Sequence, residues 1–402
     1  MRYWLLFLLL PFLLATGCSN DDESVIPPSA LPQFKSTAKV KKLWAVAVGD
    51  GVEDAFLSLK PAVTERWVFA AAFDGTVAKI DRETGDRVWT VETEKNLSGG
   101  VGAGYGLVVV GSNNGEVLVL NEEDGTQLWE KSIGGQIMSA PAIGPDRIVV
   151  QSIDGRLHGL TRADGAVAWI YDTSIPILTL RGESSPVVIG GATLAGFANG
   201  KLAALDTTTG FVAWERMIGE PKGRSELERL IDLDGRFWVS GKTAYAATYQ
   251  GNVAAIDIPS GRLLWQRKLS SFAGVSEFLS QLYVVDEESV LQVMESTSGT
   301  DLWKQDGLRG RGLGAPTAYD RYVVVGDFEG YLHWLSFQDG SYVARVKVGV
   351  QRRPRPDAKL GTVVRKPSFD EGLRAEPVVY QDIVYVQANS GELAAYQVVE
   401  KE

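Results

Sequence analysis

The chain is nearly without cysteine and histidine. Among its 402 residues there is one cysteine, Cys18, and there are two histidines, His158 and His333. One cysteine excludes an intramolecular disulfide and a thiolate metal cluster. Two histidines leave little for metal ligation or acid–base catalysis, and no GxSxG, P-loop or HExxH pattern occurs. Positive charge is also short. Lys and Arg number 40 against 50 Asp and Glu, a net charge of −10, which argues against nucleic acid as a partner. Beyond the first 15 residues no long apolar run occurs, so the remainder is expected to be soluble. What is plentiful is glycine, 44 residues, and tryptophan, 11.

The N-terminus, MRYWLLFLLLPFLLATGCSNDD, has a basic start, an apolar run from Tyr3 to Ala15, and small residues before Cys18. The run suits a signal sequence better than a bilayer span. The segment resembles a bacterial lipobox, with Ala15 where leucine is usual. That resemblance implies a signal peptide over 1–17 and acyl chains on Cys18. Ser19 rather than aspartate after the cysteine implies, by the rule for such lipoproteins, delivery to the outer membrane. Residues 18–39 are rich in Ser, Pro and acidic side chains and are expected to form a flexible tether.

From there the chain repeats itself. FDGTVAKIDRETGDRVW, NNGEVLVLNEEDGTQLW and IDGRLHGLTRADGAVAW follow one another at intervals of 40. The repeat starts at Gly75, Gly115, Gly155, Gly200, Gly251, Ser289, Gly330 and Gly391. A second glycine follows ten residues after each of the first seven starts, and a tryptophan fourteen residues after each of the first six. The seventh repeat has Ala344 at the tryptophan position. A period near 40–45 built of short apolar strands is the pattern of a propeller blade. Runs such as VLVL and LAAL are apolar on both faces, as strands sandwiched between blades should be. Four strands fit in each repeat. The eighth repeat lacks its fourth, and the orphan KKLWAVAVG with Trp44 has that strand's form. The expectation is an all-β, eight-bladed propeller of four-stranded blades over 40–402, closed when residues 40–48 complete the last blade. The seven tryptophans of the pattern, Trp44 included, are expected to pack between blades.

The repeat resembles the tryptophan-docking repeat of pyrroloquinoline-quinone dehydrogenases. Those enzymes carry a cysteine pair beside the quinone and a Ca²⁺ site of clustered oxygens. This chain has no cysteine pair and no local cluster of that kind. His158 and His333 each stand three residues after a repeat start, in the third and seventh blades, and read as packing residues. GVGAGYG, 100–106, reads as close backbone packing in a first strand. No cofactor and no metal are expected.

Three inserts break the period. SIPILTLRGESSP follows Trp169 and carries Ile177, Leu178, Leu180 and Arg181, a pattern suited to a protein-binding loop. GEPKGRSELERLIDLDG follows Trp214; SELERL suggests a short helix, and Asp232 and Asp234 make a weak cation site at best. The third, 351–374, is strongly basic and suits an acidic partner or lipid headgroups. The first two leave adjacent blades and are expected on one side of one rim.

Lipobox, tether, eight repeats and the LTLRGESSP loop together resemble the BamB family, lipoprotein subunits of the outer-membrane β-barrel assembly machinery. The resemblance covers the chain from Cys18 onward. It implies a non-enzymatic scaffold on the periplasmic face of the outer membrane that binds the POTRA domains of BamA, with nascent outer-membrane proteins as a further candidate partner. It also implies binding roles for Leu178, Leu180 and Arg181, and for an acidic pair, Asp232 and Asp234, facing basic groups. Two alternatives stay open at this point: a periplasmic quinoprotein, and a propeller lipoprotein with another envelope protein or peptidoglycan as partner.

Overall fold

The computed structural model describes residues 26–52, 55–181, 184–233, 235–349 and 372–400. These contain 32 strands, numbered in chain order from β1 (Ala38–Ala47) to β32 (Glu392–Glu400), and no α-helix. They form eight four-stranded antiparallel sheets. Seven sheets take four consecutive strands each. The eighth has the order β1-β32-β31-β30, with β30 at Val378–Tyr380 and β31 at Ile383–Gln387. β1 pairs antiparallel with β32 from Ala38↔Glu400 to Ala47↔Glu392. The closing strand expected over 40–48 is thus present and starts two residues earlier. Closure joins the two ends of the chain through a full ladder of backbone hydrogen bonds, so no blade is left open.

The sequence pattern explains how neighbouring blades dock. In each sheet the outer strand carries a β-bulge just before the tryptophan position, as between Lys79 and Ile80 opposite Arg87–Trp89. A bulge bends its strand and re-aims the side chain that follows. Here it turns the indole onto the next blade. Trp89 donates to Glu122 O at 3.1 Å, Trp129 to Arg162 O at 2.9 Å, Trp169 to Thr207 O at 2.9 Å, and Trp44 to Arg82 O at 2.9 Å. The second glycine of the next blade lies beneath that ring. A Cβ on Gly210 would stand 2.5 Å from Trp169 Cγ, and one on Gly85 2.6 Å from Trp44 Cγ. Gly210 also has φ +75°, so both the backbone and the space require glycine. The two periodic signals, glycine at ten and tryptophan at fourteen, are two halves of one joint. The seam after blade 7, where Ala344 replaces tryptophan, is filled differently. Trp334 is fully buried there, donates to the Tyr319 hydroxyl at 2.9 Å, and meets Tyr396 edge-on. Ser289, the one start that is not glycine, still takes φ +65°.

Within each blade the strands alternate in direction. The turns from second to third strand and the connections to the next blade therefore share one end of the ring, here termed the loop face. The first two inserts stand on it, as do residues 372–374 of the third. The short first strands line the axis, and most of them touch the next around the ring. Gly102 among them faces the carbonyl of Pro141 so closely that no Cβ fits, as the packing reading of GVGAGYG expects, whereas Gly104 and Gly106 face open space and Gly106 serves the turn with φ +77°. At the loop-face end of the axis Glu376 accepts from Lys60 Nζ at 2.6 Å and from Arg236 Nη1 at 2.8 Å. Arg236 also donates to Pro316 O at 2.8 Å. One ionic cluster thus ties blades 1, 5, 7 and 8 across the axis.

The tether expectation changes for its second half. Residues 26–37 lie along blade 7. Ser29 N donates to Arg309 O at 2.9 Å and Thr37 N to Val343 O at 3.0 Å. Phe34 stacks on Tyr342 at 5.2 Å, and Arg345 donates to Pro32 O at 3.1 Å. An aromatic ring, the buried Arg311 and the half-buried Arg345 give this Pro- and Ser-rich stretch enough partners to outweigh its freedom. The signal peptide, Cys18 and the rest of the tether lie outside the described residues.

Candidate partner-binding surface

The first insert leaves β13 (Val167–Asp172) for β14 (Val187–Ile189), and the second leaves β17 (Val212–Met217) for β18 (Trp238–Ser240). Both stand on the loop face, one blade apart. The first is pinned at its base: Thr173 N donates to Gly155 O at 3.1 Å, and Asn199 Nδ2 to Ser174 O at 2.8 Å. Pro176 then lifts the chain outward. Ile177 is 99% exposed, Leu178 42% and Leu180 39%. Arg181 is exposed, with φ +59°. A left-handed arginine is uncommon and needs surrounding structure to hold it.

That hold comes from the second insert. The carboxylate of Asp232, 0% exposed, accepts a hydrogen bond from the backbone N–H of Leu180. Asp232 is itself fixed, its carbonyl accepting from Tyr249 N at 2.9 Å, with Leu233 N on Phe197 O at 3.2 Å next to it. Leu230, Ile231 and Leu233 are buried around it. The expectation of an acidic pair facing a basic partner is therefore corrected for Asp232. It lies beneath the loop because the apolar residues flanking it draw the segment into the core, and it positions the loop from below. Asp234 lies outside the described residues.

SELERL forms a single turn, not a helix. Ser225 Oγ accepts from Glu228 N at 3.2 Å, and Glu228 Oε2 accepts from Arg224 N at 2.6 Å and Ser225 N at 3.2 Å, a reciprocal cap. These N–H groups hold the Glu228 carboxyl below its ordinary range. The turn stops there because Leu230 and Ile231 are pulled inward. Between the two inserts lies a groove of about 370 Å³, lined by Pro176, Ile177, Pro221, Glu226 and Arg229. It has an apolar wall and a charged one. A cleft below Arg181, about 30 Å³, has room for a water and not for a ligand.

Other exposed apolar residues stand on the same face and escaped the sequence reading: Phe56, Leu227 and Phe272. The guanidinium of Arg374 lies 3.9 Å over the Phe56 ring. Phe56 and Phe272 are single residues in connecting loops, without period or motif to mark them, and Leu227 lies in SELERL, whose spacing suggested a helix rather than an exposed contact. The remaining residues of the basic insert, 351–371, lie outside the described residues. The histidines are both buried, in keeping with packing roles. Burial pushes the His158 imidazole pKa down. Among the described residues no group of three His, Cys, Asp or Glu side chains could hold a metal ion.

The family profile described as "Outer membrane protein assembly factor BamB" matches residues 73–305 and 279–402. The outer membrane protein assembly factor BamB of Pseudomonas aeruginosa is 48% identical over 386 residues, 96% of each chain. That of Escherichia coli is 36% identical over 376 residues, 88% of this chain and 95% of its own. The crystal structure of BamB from Moraxella catarrhalis superposes with a TM-score of 0.78 at 25% identity, covering 89% of this chain and all of that one. A quinohemoprotein alcohol dehydrogenase from Comamonas testosteroni superposes at 0.67 with 12% identity, over 90% of this chain and 77% of its own, which is a likeness of fold alone. Matched along nearly its whole length by relatives of this kind, the chain belongs to the family of the outer-membrane protein assembly factor BamB.

Proposed function

We propose that this chain is a non-enzymatic scaffold subunit of the outer-membrane β-barrel assembly machinery. It is held at the outer membrane by acyl chains on Cys18, faces the periplasm, and binds the POTRA domains of BamA through the insert between blades 3 and 4. The names of its relatives support the assembly role. One observation carries the binding surface: two inserts far apart in sequence are locked together by the Leu180 amide on Asp232, and the locked loop presents Ile177, Leu178, Leu180 and Arg181 outward.

The energetics suit a protein contact. Covering a fully exposed Ile177 is worth about 1.5–3 kcal/mol, and the remaining exposure of Leu178 and Leu180 roughly 1 kcal/mol each. Together that is the contribution of a hot spot, with Arg181 placed to add a directed pair to a carboxylate or carbonyl. A loop already fixed in the free protein loses little freedom on binding. The scaffold reading also suits the axis, where Glu376 is matched by Lys60 and Arg236 of its own chain. Titration of purified POTRA domains onto the protein tests the reading. Arg181→Ala should weaken binding about tenfold, the equivalent of roughly 1.4 kcal/mol. An unchanged Kd in Arg181→Ala and in Leu178→Ser would remove this loop from the contact.

A further inference from the structure

We propose that the cleft beneath Arg181 is a binding site for ordered water, and that the water ties the returning limb of the first insert to blade 3. Three polar groups converge there from three segments. Ser139 lies in the connection from blade 2 to blade 3, Gln151 in β11 (Arg147–Ser152), and Ser184 in the first insert just before β14. Ser139 is 5% exposed and Ser184 4%. Among the described residues neither hydroxyl has a hydrogen-bond partner, and neither does the buried Oε1 of Gln151. Their neighbours show how close they come. Ala140 N donates to Ser185 Oγ at 3.1 Å, which sets the two serine segments side by side. Gln151 Nε2 donates to Gly196 O at 2.6 Å, and a Cβ on Gly196 would stand 2.9 Å from Ser184 Oγ.

The chemistry of the cleft selects its occupant. Buried hydroxyls and amides left unpaired are costly, and a native fold rarely carries several in one place. The cleft holds about 30 Å³, and a water needs roughly 10–15 Å³. A cation is disfavoured by Arg181, which lines the cleft. A simple anion is disfavoured by Gln151, whose amide nitrogen is committed to Gly196, so that its acceptor oxygen is the group left over. An apolar group would leave both serines and the glutamine unpaired. Water both donates and accepts. It donates to Gln151 Oε1 and to one serine and accepts from the other, about three bonds, the usual number for a buried water. The first insert is then held at its base through Thr173 and Asn199, at Leu180 by Asp232, and at Ser184 by the water. The water site stands on this geometry alone; its value for partner binding rests on the reading of the loop as the POTRA contact.

A crystal structure of the full chain, at a resolution that shows ordered water, tests the site directly. Density for a water within about 2.5–3.0 Å of Ser139 Oγ, Ser184 Oγ and Gln151 Oε1 is expected. A dry cleft, or serine hydroxyls turned onto backbone carbonyls, overturns the inference. Hydrogen exchange tests the tie. The Ala140 amide, bonded to Ser185, should exchange about tenfold faster in Ser184→Ala, and in Ser139→Ala as well. The double variant should exchange little faster than either, because both changes loosen one water. Rates that multiply in the double variant, or exchange unchanged in all three, would show that no shared water ties the limb. An unchanged far-ultraviolet spectrum confirms that each variant is folded. Neither measurement involves POTRA domains. A water in place in a chain that binds no POTRA domain would sustain this inference while the partner reading fell.

Discussion

At the scale of single residues, the important finding is a carboxylate that is buried beneath a surface loop and bonded to its backbone. That Leu178, Leu180 and Arg181 stand in an exposed loop was legible in the sequence, because they interrupt a counted repeat. The work of Asp232 was not, since its bond to Leu180 spans 52 positions and leaves no local pattern. Asp232→Ala should free the loop without unfolding the ring. Removing one partner of a buried hydrogen bond to a charge costs about 1–3 kcal/mol. Hydrogen exchange at the Leu180 amide should accelerate, and POTRA binding should weaken, while the far-ultraviolet spectrum stays unchanged. Unchanged exchange at Leu180 would show that Asp232 does not hold the loop. His333 is a second case. Its Nε2 faces Asp327 at 3.0 Å and its Nδ1 accepts from Arg345, so the neutral tautomer with the proton on Nε2 fits. Burial pushes its pKa down, against the opposing pull of Asp327. A lowered histidine pKa favours the fold above the unfolded value, near 6.5, and that contribution fades as pH falls. Tm should drop between pH 7 and pH 5, and the drop should be shallower in His333→Gln.

At the scale of elements, the blade is the unit the sequence writes most clearly. Repeat count, strand number and the closing strand could all be read from glycine and tryptophan spacing. The bulge that aims each tryptophan could not, because it depends on pairing between strands. Nor could the fate of SELERL, whose helical spacing yields to burial of Leu230 and Ile231, or the docking of 26–37, whose partners lie about 280–310 positions away. The joint between blades makes a sharp prediction. Trp169→Ala should cost about 3–5 kcal/mol by leaving a cavity in the seam between blades 3 and 4. Gly210→Ala should also destabilise, since its methyl would press on the same indole. Their combined effect in denaturant titrations should be less than additive, because both damage one joint. Strict additivity would separate the two signals.

At the scale of the whole molecule, the ring is closed twice, around its rim by β1 and across its axis by Glu376. Burial alone would raise the pKa of that carboxyl, but the charges of Arg236 and Lys60 outweigh it and hold the value lowered. A lowered carboxylate pKa favours the fold above its unfolded value, and the gain is lost as pH falls through the folded value. Glu376→Ala leaves two cations facing each other and should cost about 3–5 kcal/mol, seen as a lower urea midpoint at pH 7. The same variant should lose less stability than the parent on acidification. Ring and face were readable before the structure, since eight repeats alternate strand direction in a known way. Which loops meet across that face was not. The central claim is that the loop locked by Asp232 touches the partner. The most direct test is a site-specific photo-crosslink from position 180 in intact cells, with Thr208, an exposed turn on the opposite face of blade 4, as the control. Position 180 should trap the POTRA-bearing subunit, position 208 should not, and Arg181→Ala should weaken the adduct. A folded, membrane-anchored protein that traps nothing at 180, or traps equally at 208, would contradict the account.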